Sequence, residues 1–257
     1  MDAVALKLVL TPALIGVASL AGRRWGPAVS GWLIGLPFTS GPVTFFLALA
    51  HGDRFAATAA VGTLTGTIAA LVFCVAYAWV ALHHGWLPAL FTACLGFAAA
   101  TIVLHALALP LPLVAPLVLL TLLAAPRLMP RQVDAVAADA RPPRWDLPAR
   151  MGVATAFVLL LTGLAPAIGP QMTGLLAPFP LFATILAAFA HQRQGAIAAA
   201  QVLRGLLLGL FAFASFFVLL AALLVPAGLV LAFAAAVLTA LLIQAGSLRV
   251  LRQKAAA

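Results

Sequence analysis

Long apolar runs, separated by short breaks that hold glycine, proline or charge, make up nearly the whole chain. At about 20 residues per crossing, the runs predict spans at 3–21, 27–50, 55–82, 86–107, 109–126, 148–168, 170–191, 195–224 and 226–247, nine in all. The run at 86–126 is too long for one crossing. It contains "LPLP" at 109–112, and two prolines there suit a tight turn into a short helix. A hairpin is therefore expected, with a re-entrant segment as the alternative. The stretch "RLMPRQVDAVAADARPPRWDL" at 127–147 is the long polar linker. The expected organisation is a first four-helix repeat at 1–108, a linking helix and cytoplasmic linker at 109–147, and a second four-helix repeat at 148–257.

Two of these runs contain their own interruption. "GLPFTSGP" occupies 35–42 in the second span and "LAPFP" occupies 176–180 in the seventh. Pro37 lies ten residues inside its span, or roughly 15 Å by helical rise, near the middle of a hydrocarbon core about 30 Å thick. Pro178 and Pro180 lie at a similar depth. Irregular backbone at that depth is tolerated inside protein or beside a watery cavity. "TSGP" reads as a helix restart, with Ser40 or Gly41 as N-cap and Pro42 at the first helical position. The amides of Val43, Thr44 and Phe45 would then lack helical partners, and such a terminus attracts anions and polar oxygens. The second copy has the proline but no hydroxyl cap, Thr184 being its nearest polar side chain. The expected site is a midplane one, with Thr39, Ser40 and Thr44 facing Pro178, Phe179 and Thr184.

The two halves resemble each other. "GPAVSG" at 26–31 recurs as "GPQMTG" at 169–174, a shift of 143 that also carries Lys7 to Arg150, Gly62 to Gly205 and Gly66 to Gly209. "LALAH" at 47–51 matches "AAFAH" at 187–191. If 109–126 crosses the membrane, five spans separate equivalent positions and the repeats are inverted, a common transporter plan. If it does not, the repeats are parallel.

Composition narrows the picture. The chain of 257 residues is 65% hydrophobic and 7% charged, with mean hydropathy +1.20. A soluble domain is about a quarter charged, so an all-α polytopic membrane bundle is expected. Glutamate is absent, and Asp2, Asp53, Asp134, Asp139 and Asp146 lie at span ends or in loops. No buried carboxylate is therefore expected to couple transport to protons or sodium. The net charge of +9 comes mostly from basic residues flanking spans, where they set orientation and meet anionic lipid; nucleic acid is not implied. With nine spans, Arg23, Arg24, Arg127, Arg131, Arg193, Arg249 and their basic neighbours fall on one side, against Lys7 and Arg54 on the other. That puts the N-terminus outside and the C-terminus inside. An eight-span chain gives an equally lopsided count, so charge places the linker and C-terminus without deciding the number. Residues 3–21 end on a small-x-small pattern at Ser19 and Ala21, but Arg23 and Arg24 follow the apolar run; a retained helix is expected there and not an export signal.

The eighth span offers a second candidate feature. Gln201, Arg204 and Ser215 fall on one helical stripe, and "GTLTG" (62–66) and "GLLLG" (205–209) both have spacing that permits close helix contact. Arg204 either snorkels to the cytoplasmic face or faces a cavity and favours an anionic group. Cys74 and Cys94 read as buried small hydrophobes. The histidines sit mostly near span ends, and no HExxH, P-loop or GxSxG pattern occurs. No catalytic residue, metal or cofactor is expected.

The stretch "TGLLAPFPLFATILAAFAHQRQGAIAAAQVLRG" (173–205) and, more loosely, "SGWLIGLPFTSGPVTFFLALAHGDRFAATAAVG" (30–62) resemble GlpM-like bacterial inner-membrane proteins, a family of small four-helix chains. The resemblance covers about half of each repeat, and the inserted "TSG" and the linker helix depart from it. It implies a fused double version of that unit in a bacterial inner membrane, and it supplies no substrate. Together these readings favour a secondary carrier or lipid flippase of alternating access. Pro37, Thr39, Ser40, Gly41, Pro42, Thr44, Pro178, Phe179, Pro180, Thr184, Gln201 and Arg204 form its candidate substrate site. The expected partners are membrane lipid and a small anionic or polar, or lipid-linked phosphate, substrate, with a homodimer left open. A noncatalytic membrane subunit, a channel and an intramembrane enzyme are the rival classes.

Overall fold

The structure, a computed structural model, describes residues 8–9, 11–13, 16, 36–130 and 146–256. The first expected span falls largely outside these residues, as do the start of the second and most of the linker. Beyond the helical positions before residue 17, the described chain forms α1 (Ser40–His51), α2 (Asp53–Ala81), α3 (Trp86–Leu107), α4 (Leu111–Leu128), α5 (Asp146–Leu176), α6 (Leu181–Gln194) and α7 (Ala196–Ala256). No strand occurs among the described residues. Five of these helices contain stretches long and apolar enough to cross a membrane. The protein is a membrane-embedded helical bundle.

Local sequence explains the joints. Ala108 takes a left-handed conformation that ends α3, and Pro110 and Pro112 bracket the start of α4, where a missing N–H costs nothing. The hairpin signal at 109–112 thus produces two helices, each packed on α2. Gly52, Gly169, Gly195 and Gly228 all have φ between 76° and 88° with extended ψ, a combination nearly confined to glycine. Gly52 separates α1 from α2 and Gly195 separates α6 from α7. Gly169 and Gly228 kink α5 and α7, so neither is a single straight rod. Gly195 follows Gly52 by the same 143 residues as the sequence anchors, and Gly228 follows Gly85, which precedes α3, by that interval too.

α2 is the centre of the bundle, packing on α1, α3, α4, α5 and α7. Of its most apolar stretch 72% is buried, against 22–28% in the other four candidate spans. Its small residues permit this. A β-carbon on Gly62 would lie 2.5 Å from the Gln171 carbonyl oxygen, one on Gly66 would lie 2.5 Å from that of Leu175, and one on Gly174 would run into the Ala59 carbonyl. The first half's α2 therefore crosses the end of α5 backbone to backbone, the close approach that glycine spacing of this kind allows. Outward faces carry Leu119 and Leu120 on α4 and Leu231, Leu238 and Leu242 on α7, all exposed, as side chains solvated by hydrocarbon would be.

Candidate functional site

Both interruptions are real and they meet. The first occupies 36–39, just before α1, and the second 177–180, just before α6. The helices they open are short: the 12 residues of α1 and 14 of α6 span about 18 Å and 21 Å, well short of a ~30 Å core.

Each break leaves polar backbone to be satisfied, and the two solve this differently. In the second, Pro178 and Pro180 bring no N–H, and the Leu181 amide turns back to the Phe179 carbonyl at 2.8 Å. The Ala177 carbonyl thereby loses the amide that a continuous helix would have offered it four residues on. Ser40, almost wholly buried, replaces that amide: its hydroxyl donates to the Ala177 carbonyl at 2.7 Å. One hydrogen bond thus joins the break of one half to the break of the other, across 137 residues of sequence.

The first break is tighter than its sequence suggests. Thr39, not Ser40 or Gly41, is the N-cap of α1, with helical φ and ψ and no side-chain cap bond. Pro42 is consequently the third helical residue. Because the chain at 37–39 already turns helically, the Gly41 amide reaches the Pro37 carbonyl at 2.8 Å and the Val43 amide reaches that of Thr39 at 3.1 Å. Thr44 and Phe45 lie inside the helix. The expected row of free amides at Val43–Phe45 is therefore absent. The first-turn amides of α6 at Phe182 and Ala183 have their helical acceptors, Pro178 and Phe179, in the break itself, where the Phe179 carbonyl already accepts from Leu181.

Thr39, Ser40, Pro178, Phe179 and Pro180 border one shared cavity of about 60 Å³. Leu206, Leu210 and Phe213 of α7 complete one wall, and Phe182 and Ala183 bring the first turn of α6 to another. Pro37, Gly41 and Pro42 lie on the opposite side of the break, along a separate apolar groove of about 310 Å³. Phe179 is held edge-on between Phe73 and Phe97, with ring centroids 5.9 and 5.1 Å away.

Four expected site residues stand elsewhere. The Thr44 hydroxyl donates to the Ser40 carbonyl and that of Thr184 to the Pro180 carbonyl, each closing on its own helix. This is the usual recourse of threonine in an apolar helix. Gln201 and Arg204 do not border the cavity. At about 100° per residue their stripe lies on the face of α7 opposite Leu206, Leu210 and Phe213. The Arg204 guanidinium donates instead to the Pro130 carbonyl at 2.6 Å, at the end of α4, while its Nε is buried without a partner.

Sequence reading missed the cavity wall on α7 and the role of Phe73. A signal existed: Phe216, which lies against Gly41 in the first turn of α1, follows Phe73 by the same 143 residues. No protein-family model, curated protein or solved structure matches the chain.

Proposed function

We propose that this protein is a carrier or lipid flippase of the bacterial inner membrane, built as two inverted four-helix repeats joined by α4, with about nine crossings. The paired breaks are its substrate site, and alternating access between the repeats moves a small anionic or polar group. The observation that carries the reading is the Ser40–Ala177 hydrogen bond at the rim of a cavity common to both breaks. Matched interruptions that meet at membrane depth are the sign of a binding site in repeat-built transporters. A cavity edged by first-turn amides favours anions and polar oxygens over cations. The hydrogen bond between the breaks is one that rocking of the repeats would break and remake.

Three further bonds support the proposed topology. The Trp79 indole donates to the Leu128 carbonyl at 2.8 Å, the Tyr77 hydroxyl lies 3.4 Å from Nδ1 of His191, and the Gln171 amide donates to the His105 carbonyl at 3.4 Å. Each joins two helix ends that the nine-crossing arrangement puts on one face of the membrane. The hydroxyl and apolar lining suits binding and not bond-making, so the reading is a non-enzymatic one. The likeness to GlpM-like chains fits a fused tandem of such units, with lipid as the surrounding partner and a homodimer compatible with the exposed apolar faces.

The test is transport by the full chain reconstituted in vesicles. Charge movement on adding phosphate, bicarbonate or acetate is recorded, and transbilayer movement of a fluorescent phosphatidic acid is followed by dithionite quenching. At least one probe is expected to move. Ser40→Ala should slow it about tenfold, which corresponds to ~1.4 kcal/mol. Absence of movement for every probe, or full activity in both Ser40→Ala and Thr39→Ala, overturns the proposal.

A further inference from the structure

Behind the first break lies a second feature that the cavity between the breaks does not use. The apolar groove of about 310 Å³ falls in the range of small-ligand pockets, roughly 300–1,000 Å³, whereas the cavity between the breaks, at about 60 Å³, is far below it. Phe45, Phe216 and Phe233 form the groove floor, with Phe233 edge-on to both others at 5.5 and 5.9 Å. Val237 and Leu241 line it too and are 46% and 44% exposed, so among the described residues it opens sideways on a face that, in a membrane, meets hydrocarbon. Leu36 and Phe38 belong to the walls of both spaces. A cavity too small for a metabolite, with Thr39 and Ser40 the polar side chains in an otherwise apolar lining, thus adjoins an apolar groove of ligand size.

We infer that the substrate is an amphipathic lipid: a hydrocarbon chain lies in the Phe45–Phe233 groove while a small polar or anionic head group enters the cavity at Ser40. This inference rests on the carrier reading and narrows it. A chain in this groove buries apolar surface against three aromatic rings, and the head group takes hydrogen bonds from backbone that the breaks leave open. Neither space alone accommodates such a molecule, and a soluble anion would have no use for the groove. The groove also gives the substrate a lateral route from the bilayer, so the polar end alone has to leave water.

A phosphatidic acid with a diazirine in its acyl chain tests this, in phosphatidylcholine vesicles holding the full chain. Light should attach the label to Phe45, Phe233 or Leu241. Unlabelled phosphatidic acid should compete, and inorganic phosphate and glycerol phosphate should not. Val237→Trp, which fills the mouth of the groove from a half-exposed position, should cut labelling and transbilayer movement several-fold. Leu241→Trp is a second variant should the first fail to fold. Ser40→Ala should keep the labelling and slow the movement. Label spread evenly over Leu119, Leu120 and Leu238 and unaffected by either tryptophan overturns the lipid assignment, as does competition by inorganic phosphate. In either case the carrier reading survives if Ser40→Ala still slows movement of a soluble anion. Groove labelling together with unimpaired movement of every probe by Ser40→Ala overturns the carrier reading and this inference with it.

Discussion

Ser40 does for Ala177 what an amide does inside a helix, and its removal leaves a carbonyl buried without a donor. Such an orphan costs about 1–3 kcal/mol, so Ser40→Ala should lower the thermal midpoint in detergent as well as transport. Backbone conformation gives a cleaner test at the same scale. Gly52 has φ 84°, and a side chain there is strained whatever space surrounds it; Gly52→Ala should cost about 1–3 kcal/mol. Gly163 sits in the regular, exposed part of α5 with open space around it. Gly163→Ala should be neutral or stabilise by about 0.5–1 kcal/mol. Thermal unfolding of the two purified variants beside the parent chain measures both, and equal effects would refute the conformational argument.

At the scale of elements, everything about symmetry turns on α4. Leu111–Leu128 is 18 residues long, about 27 Å, enough to cross a thin or locally fitted core. If it crosses, Arg54 and Arg127 lie on opposite sides of the membrane and the proposed repeats are inverted; if not, they lie on the same side. In a background of Cys74→Ala and Cys94→Ala, the single variants Arg54→Cys and Arg127→Cys should react with a membrane-impermeant maleimide from opposite faces. Labelling from one face would make the proposed repeats parallel and remove the inverted plan.

For the molecule as a whole, the two halves are interleaved and not laid side by side. α2 of the first half is buried against α5 and α7 of the second, and the break that opens α6 is held by Phe73 and Phe97 of the first half. Arg204 is a different kind of tie, from α7 to the Pro130 carbonyl at the end of α4, on the face away from the cavity. Arg204→Gln should therefore lower stability and leave the KM of any transported substrate unchanged. A raised KM with normal stability would return Arg204 to the binding site.

Amino-acid sequence alone determined the class of the protein, the bounds of α2, α3 and α4 to within two residues and the location of both breaks. These are local properties: the free energy of placing a run of apolar residues in lipid, and the backbone limits of glycine and proline, act within a few residues. Hence 86–107 was legible as a helix to the residue, "LPLP" as a turn into α4, and "PFP" as a break. Tertiary structure decided what those local elements meet. The stripe of α7 that faces the cavity was not its polar one: Arg204 on the polar stripe reaches the Pro130 carbonyl just past α4, and Ser215 closes on its own helix. The hydroxyls of Thr44 and Thr184 found carbonyls on their own helices, while Ser40 reached one 137 residues away. Which of several chemically equal hydroxyls points at an open carbonyl depends on how helices distant in sequence cross, and glycine contacts such as Gly62 with the end of α5 set that crossing only once the chain has packed.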